Sequence, residues 1–108
     1  SAAMYPLYKG GSVTNGSLHL MRLWKQVLRV DGVSLKTEAG TCDVTMTVDG
    51  AAAGSTYSVS ATASNQTFGT IIQIDAVTVG KSIDFTITNA DSACVGLQVS
   101  LSTATAII

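Results

Sequence analysis

The sequence predicts an all-β domain, an antiparallel β-sandwich of seven or eight strands. Three observations carry that prediction. Apolar and polar residues alternate with period two along much of the chain, most cleanly in Cys42-Asp43-Val44-Thr45-Met46-Thr47-Val48. Strict alternation marks a strand with one buried and one solvated face. These runs recur at about ten-residue spacing between glycine-bearing turns, the pattern of a sandwich or barrel. The composition agrees: of 108 residues, 46% are apolar and only 12% charged, with Ser, Thr, Ala, Gly and Val filling the gap. The charged share is about half the usual ~25%, as expected where hydroxyls cover the wet faces. The length suits one domain with a core of its own.

Residues 1–16 read as a lead-in. Ser1-Ala2-Ala3 before Met4 resembles a cloning remnant, and Tyr5, Pro6, Leu7 and Tyr8 precede Gly10-Gly11 and Asn15-Gly16. Such turn-rich chain is loose, and two tyrosines beside a proline suggest a segment lying on a surface. The sandwich is then expected over residues 17–108.

Residues 17–30, SLHLMRLWKQVLRV, have two readings. As a short helix over 17–29, Arg22, Lys25, Gln26 and Arg29 stack at i, i+3, i+4 and i+7 opposite an apolar face, which periodicity favours. As strands, Leu18, Leu20 and Arg22 alternate with His19, Met21 and Leu23, and a turn near Lys25-Gln26 starts a second strand. Every later segment reads as β, so a helix here would stand alone.

From Val27 the strand signal dominates. Leu28 and Val30 share one phase and Val33 and Leu35 the other, so a bulge is expected at Asp31-Gly32. Gly40 opens the clean strand of residues 42–48, and Asp49-Gly50 closes it with a strong hairpin signal. Ala51–Thr56 reads as a small-residue loop. Alternating strands are expected at 57–64, 83–88 and 95–101, with an isoleucine-rich one within Phe68–Val79. Gly80-Lys81 reads as a turn, Asn89–Ala93 as a polar loop, and Ala104–Ile108 as an apolar end.

The formal net charge is −1, but residues 1–30 hold Lys9, Arg22, Lys25 and Arg29 and no acid, while all seven acids lie at Asp31 or later. A nucleic-acid binder shows a strongly basic domain, so no nucleic-acid partner is expected and the fold should neutralise the two halves. No run reaches the ~18 apolar residues of a membrane span, so no membrane partner is expected. Little charge remains to keep copies apart, which points to a homo-oligomer. Two cysteines are too few for a disulfide scaffold. Cys42 shares the inward phase of Val44 and Met46 and reads as a small buried hydrophobe. A Cys42–Cys94 bridge requires their strands to be neighbours.

Little in the sequence points to catalysis. His19 is the single histidine, without spaced partners for a metal, and no G-x-S-x-G elbow or phosphate loop is present. No enzyme activity, cofactor or metal is expected. Sugar-binding modules stack sugars on exposed Trp or Tyr, which makes Trp24 and the tyrosines candidates; the opposing reading puts Trp24 in a core gap or an oligomer seam. The surface-contact candidates are Tyr5, Tyr8, Arg22 and Trp24.

The stretches Lys36 to Gly50, Val77 to Thr88 and Gly96 to Ser102 together resemble a β-sandwich module of tailed-bacteriophage virion proteins, found in tail spikes, tail fibres and capsid-attached decoration proteins. The resemblance covers roughly residues 27–103. It implies a jelly-roll-like sandwich, a trimer, and a strand before the Ala39-Gly40-Thr41-Cys42 turn, which favours a strand over 27–36; residues 1–26 fall outside it. It also implies a mechanical role in a virion assembled in the bacterial cytoplasm. The partners would be other virion proteins and a host surface glycan.

Overall fold

The structure is a computed structural model that describes residues 3–107, with side-chain surroundings through Ala104. Ser1 and Ala2 of the expected cloning remnant, and the apolar side chains at the C-terminal end, lie outside the described residues. Eight strands follow in order: β1 (Ala3–Ser12), β2 (Gly16–Leu23), β3 (Val27–Lys36), β4 (Cys42–Val48), β5 (Ala51–Val59), β6 (Ser64–Asp75), β7 (Lys81–Thr88) and β8 (Val95–Ile107). They form two four-stranded antiparallel sheets, ordered β1-β8-β3-β6 and β2-β7-β4-β5. Every connection except the β4–β5 hairpin crosses from one sheet to the other. That wrapping is the jelly roll, an eight-stranded double sheet built from Greek keys.

The core lies between the sheets. Leu28, Val30 and Leu35 of β3 and Leu97 and Leu101 of β8 face Val44 of β4 and Ile83, Phe85 and Ile87 of β7, all at most 2% exposed. Each such side chain contributes about 1.5–3 kcal/mol on leaving water. Alternation thus becomes a sandwich because one period-two row from each strand points to the same interior.

Several elements differ from expectation, each for a physical reason. Residues 3–12 are not a loose lead-in. They form β1, paired with β8 from Ala3↔Thr103 to Ser12↔Val95. Pro6 fits there because β1 is a sheet edge, where a missing N–H breaks no ladder. The short helix over 17–29 is absent, and no helix occurs among the described residues. That stretch is β2, a turn with Lys25 at φ 59, and the start of β3. Its period-two signal is broken by a bulge between His19 and Met21, which inserts one residue and shifts the inward phase. The shifted phase is what mimicked helical spacing.

Ala51–Thr56 is also strand, the first part of β5. The two-residue turn, with Asp49 at φ 50 and Gly50 at φ 83, sets Ala51 directly opposite Val48, and the hairpin ladder overrides the weak strand preference of alanine. β5 then stops at Val59, and the isoleucine-rich strand β6 runs from Ser64 to Asp75. The bulge expected at Asp31-Gly32 is present on both sides of β3.

Gly40, at φ 71, sits where the β3–β4 link passes the β7–β8 link, and a Cβ there would run into the backbone of Cys94. Gly50 has open space around it. In urea unfolding, Gly50→Ala is expected to cost about 1–2 kcal/mol, the cost of a left-handed conformation alone. Gly40→Ala should cost clearly more. Equal costs would show that the close approach contributes nothing.

Candidate functional site

The four surface-contact candidates fall into two places and do not converge. In β1, Ala3, Tyr5 and Leu7 take the inward phase, while Met4, Pro6 and Tyr8 point outward. Tyr5 is therefore half-buried against the core and is not a free contact residue. Tyr8 is 58% exposed on the outer face of the first sheet. Arg22 and Trp24 lie beyond the opposite end of β3, about 30 Å away at ~3.3 Å per residue.

Around Tyr8 the outer face forms a trough of about 460 Å³, within the size range of ligand sites. The register builds it: Pro6 lies beside Ser100, Ser100 beside Ser34, Tyr8 beside Gln98, and Gln98 beside Lys36. Short serines on the central strands make the floor. Pro6 and Tyr8 form one wall, and Ala63, just before β6, forms the other. The Tyr8 hydroxyl donates to Glu38 Oε1 at 2.8 Å. That bond to a carboxylate stabilises the neutral phenol and raises the Tyr8 pKa above its ordinary 10.0.

At the other end, the β2–β3 turn and the β6–β7 connection are joined by Lys25 N–H to Ala76 O (2.7 Å) and Ala76 N–H to Gln26 O (3.0 Å). Trp24 is 58% exposed there, beside exposed Val77 and Val79, so it fills no gap in this chain's core. Lys25 Nζ lies 4.9 Å from the centre of its ring, a cation–π distance. The Arg22 guanidinium packs over Gly80, where a Cβ would come within 3.0 Å of it.

A serine, histidine and aspartate do meet on the outer face of the second sheet. His19 Nδ1 lies 2.7 Å from Asp84 Oδ1 and 3.2 Å from Ser82 Oγ, and the Ser82 hydroxyl donates to Asp84 Oδ2 at 3.0 Å. An activated serine needs the base on one ring nitrogen and the carboxylate on the other. Here both partners share Nδ1, so these three residues do not assemble a nucleophile. They read as a cross-strand polar cluster on β2 and β7, with His19 directly opposite Asp84. Among the described residues, no group of three His, Cys, Asp or Glu side chains is disposed to hold a metal ion.

Cys42 and Cys94 are buried free thiols. Burial pushes the Cys42 thiol up to about 12 from an ordinary 9.0, and the neighbouring Cys94 thiol adds to the shift. The site residues that sequence reasoning missed are Ser34, Lys36, Gln98 and Ser100. They come from two strands far apart in sequence, and only the register joins them. The signal within reach was the outward row Met4-Pro6-Tyr8.

No protein-family model and no curated protein sequence matches this chain.

The Cys42 shift has a definite sign. Folding favours the protonated thiol, so its contribution to stability is whole below about pH 9 and is lost as pH climbs toward 12. The urea midpoint of the natural chain should therefore fall more steeply across that window than that of Cys42→Ala. Parallel curves would contradict the shift.

Proposed function

We propose that this chain is a non-enzymatic structural module of a tailed-bacteriophage virion. In this reading it assembles with copies of itself, as a trimer, at a tail fibre or spike end or on the capsid. The jelly-roll order supports the reading, since that architecture serves viral capsid proteins, but it also serves lectins and cupins, so the fold alone does not choose. The observation that carries the proposal is the flank formed by β5 and β6.

These two strands are edges of opposite sheets on one side of the sandwich. The Tyr57 and Phe68 rings stack across them, with centroids 6.4 Å apart and planes within 5°. From Gly50 to Ile74 no residue carries a charge. Exposed edges normally carry lysine, proline or other charge to block pairing with a neighbour. The edges β1 and β2 follow that rule with Pro6, Lys9 and Arg22. The β5–β6 flank carries no such residue until Asp75 at the end of β6. A face of hydroxyls, methyls and aromatic edges can be covered by another copy without desolvating charge. Because the two edges of the flank differ, copies related by rotation can meet edge to unlike edge and close a ring.

Sedimentation velocity tests this directly. The natural chain is expected as a species of three chain masses, and Thr67→Lys combined with Thr70→Lys, both on exposed β6 positions, should weaken association by about tenfold or more. A chain that stays monomeric at high concentration would remove the proposal.

A further inference from the structure

The two outer sheet faces differ in how their polar groups are used. On the second sheet several polar side chains satisfy one another, Thr45 with Thr56, Asn89 with Asp43, and Ser82 and His19 with Asp84, while others such as Ser58 and Thr86 make no such bond. On the first sheet, among the described residues, the side chains of Ser34, Lys36, Gln98 and Ser100 make no hydrogen bond within the protein. All four line the trough beside Tyr8. Four side chains with open donor and acceptor capacity thus share one concave place.

Tyr8 itself is exposed but not free to swing. Its hydroxyl is tied to Glu38, and its ring lies along β1 over Gly10, where an added Cβ would stand 3.2 Å from the ring. Glu38 is held in turn, because its side chain occupies the space that a Cβ on Gly96 would take and its backbone N–H reaches Val95 O at 3.0 Å. A ring fixed before binding loses little entropy when a ligand covers it.

We propose that this trough is a carbohydrate-binding site. A pyranose ring stacks its C–H face on Tyr8, and its hydroxyls exchange hydrogen bonds with Ser34, Ser100, Gln98 and Lys36. The chemistry selects this ligand class. Serine hydroxyls and the Gln98 amide both donate and accept, as sugar hydroxyls do. A proline-rich peptide offers mainly carbonyl acceptors and docks between several aromatic walls, whereas this trough has one aromatic ring. The lining is mostly apolar, as the C–H face of a pyranose requires, and its hydroxyl, amide and ammonium groups would gain no partner from a lipid chain. Lys36 is the one charged residue of the lining, which fits a neutral chain of sugars with room for an occasional acidic unit. Tyr8 and the floor residues lie on a sheet face, and only the Ala63 wall, just before β6, approaches the flank that the proposed assembly uses, so assembly and sugar binding are read out separately.

The test is an NMR titration of the full chain with neutral hexasaccharides of glucose, galactose and N-acetylglucosamine at millimolar concentration, with a proline-rich peptide alongside. Sedimentation of the same samples reports assembly separately. At least one saccharide is expected to shift the backbone amides of Ser34, Lys36, Gln98 and Ser100. Tyr8→Ala, which removes the platform, and Ser100→Leu, which fills the floor, should each weaken that binding about tenfold or more, while thermal unfolding stays near that of the natural chain. Trp24→Ala should leave it unchanged. The proposal is overturned if no saccharide moves those amides, if the shifts centre on Trp24 and residues 77–80, if only the peptide binds, or if both trough variants bind like the natural chain.

Discussion

The structure depends on one close approach, that of Gly40 to Cys94. A jelly roll sends most of its connections across the gap between sheets, and each crossing must find partners for its backbone groups. At this end the β3–β4 link and the β7–β8 link supply them to each other. Ala39 and Val95 bridge through N–H to O contacts of 3.0 and 3.4 Å, Asp91 N–H reaches Thr41 O at 3.0 Å, and the Asp91 carboxylate accepts from Thr41 and from Ala93 N–H. Thr37, fully buried, donates its hydroxyl to Gly40 O at 2.8 Å. A side chain at Gly40 would force the two links apart, because its Cβ would run into the Cys94 backbone. The clamp also sets the Tyr8 trough. Glu38, just before the bridge, lies over Gly96 and accepts the Tyr8 hydroxyl, so the exposed ring is positioned from the end of the sandwich as well as by its own strand.

Legibility in the sequence followed contrast between the two faces of each strand. β4, β7 and the first part of β8 have apolar residues on one phase and polar residues on the other, and the alternation placed them. Asp49-Gly50 announced its hairpin because both residues take positive φ. Where the phases look alike, the pattern is silent. β1 has apolar or aromatic residues on both: Ala3, Tyr5 and Leu7 inward, Met4, Pro6 and Tyr8 outward. β5 begins with alanines on both phases. In β2 a bulge exchanged the phases mid-strand and left a spacing that a helix fits equally well.

The trough was illegible for a different reason. Sequence reasoning could name Tyr8 as an aromatic candidate, because residue type alone recommends it. It could not reach Ser34 and Ser100, which are far apart in the chain and adjacent only because β3 pairs with β8 in one register. A slip of one residue would turn Leu35 and Val99 outward and destroy both the core and the trough. The register is held by the buried row Leu28, Val30, Leu35, Leu97 and Leu101, so the polar floor is placed by hydrophobic residues whose side chains take the opposite, inward phase.

The same geometry separates the two proposed roles. A sandwich has two kinds of free surface, edges and faces, and they suit different partners. Edges present backbone hydrogen-bonding groups with little sequence content, which suits association with an identical chain. Faces present side chains in a fixed two-dimensional array, which suits a ligand recognised by its pattern of hydroxyls. In this chain the charge-free stretch is folded onto edges and the open polar groups onto a face. Association through β5 and β6 covers one flank and leaves β1, with Tyr8, at the far edge of its sheet. A ring of such chains would turn its β1 edges outward, and each copy would carry a trough whose Tyr8 side lies away from the contact that holds the ring together. Weak binding at one trough then gains from the presence of the others, because a second site on the same assembly meets a polymeric ligand at high effective concentration.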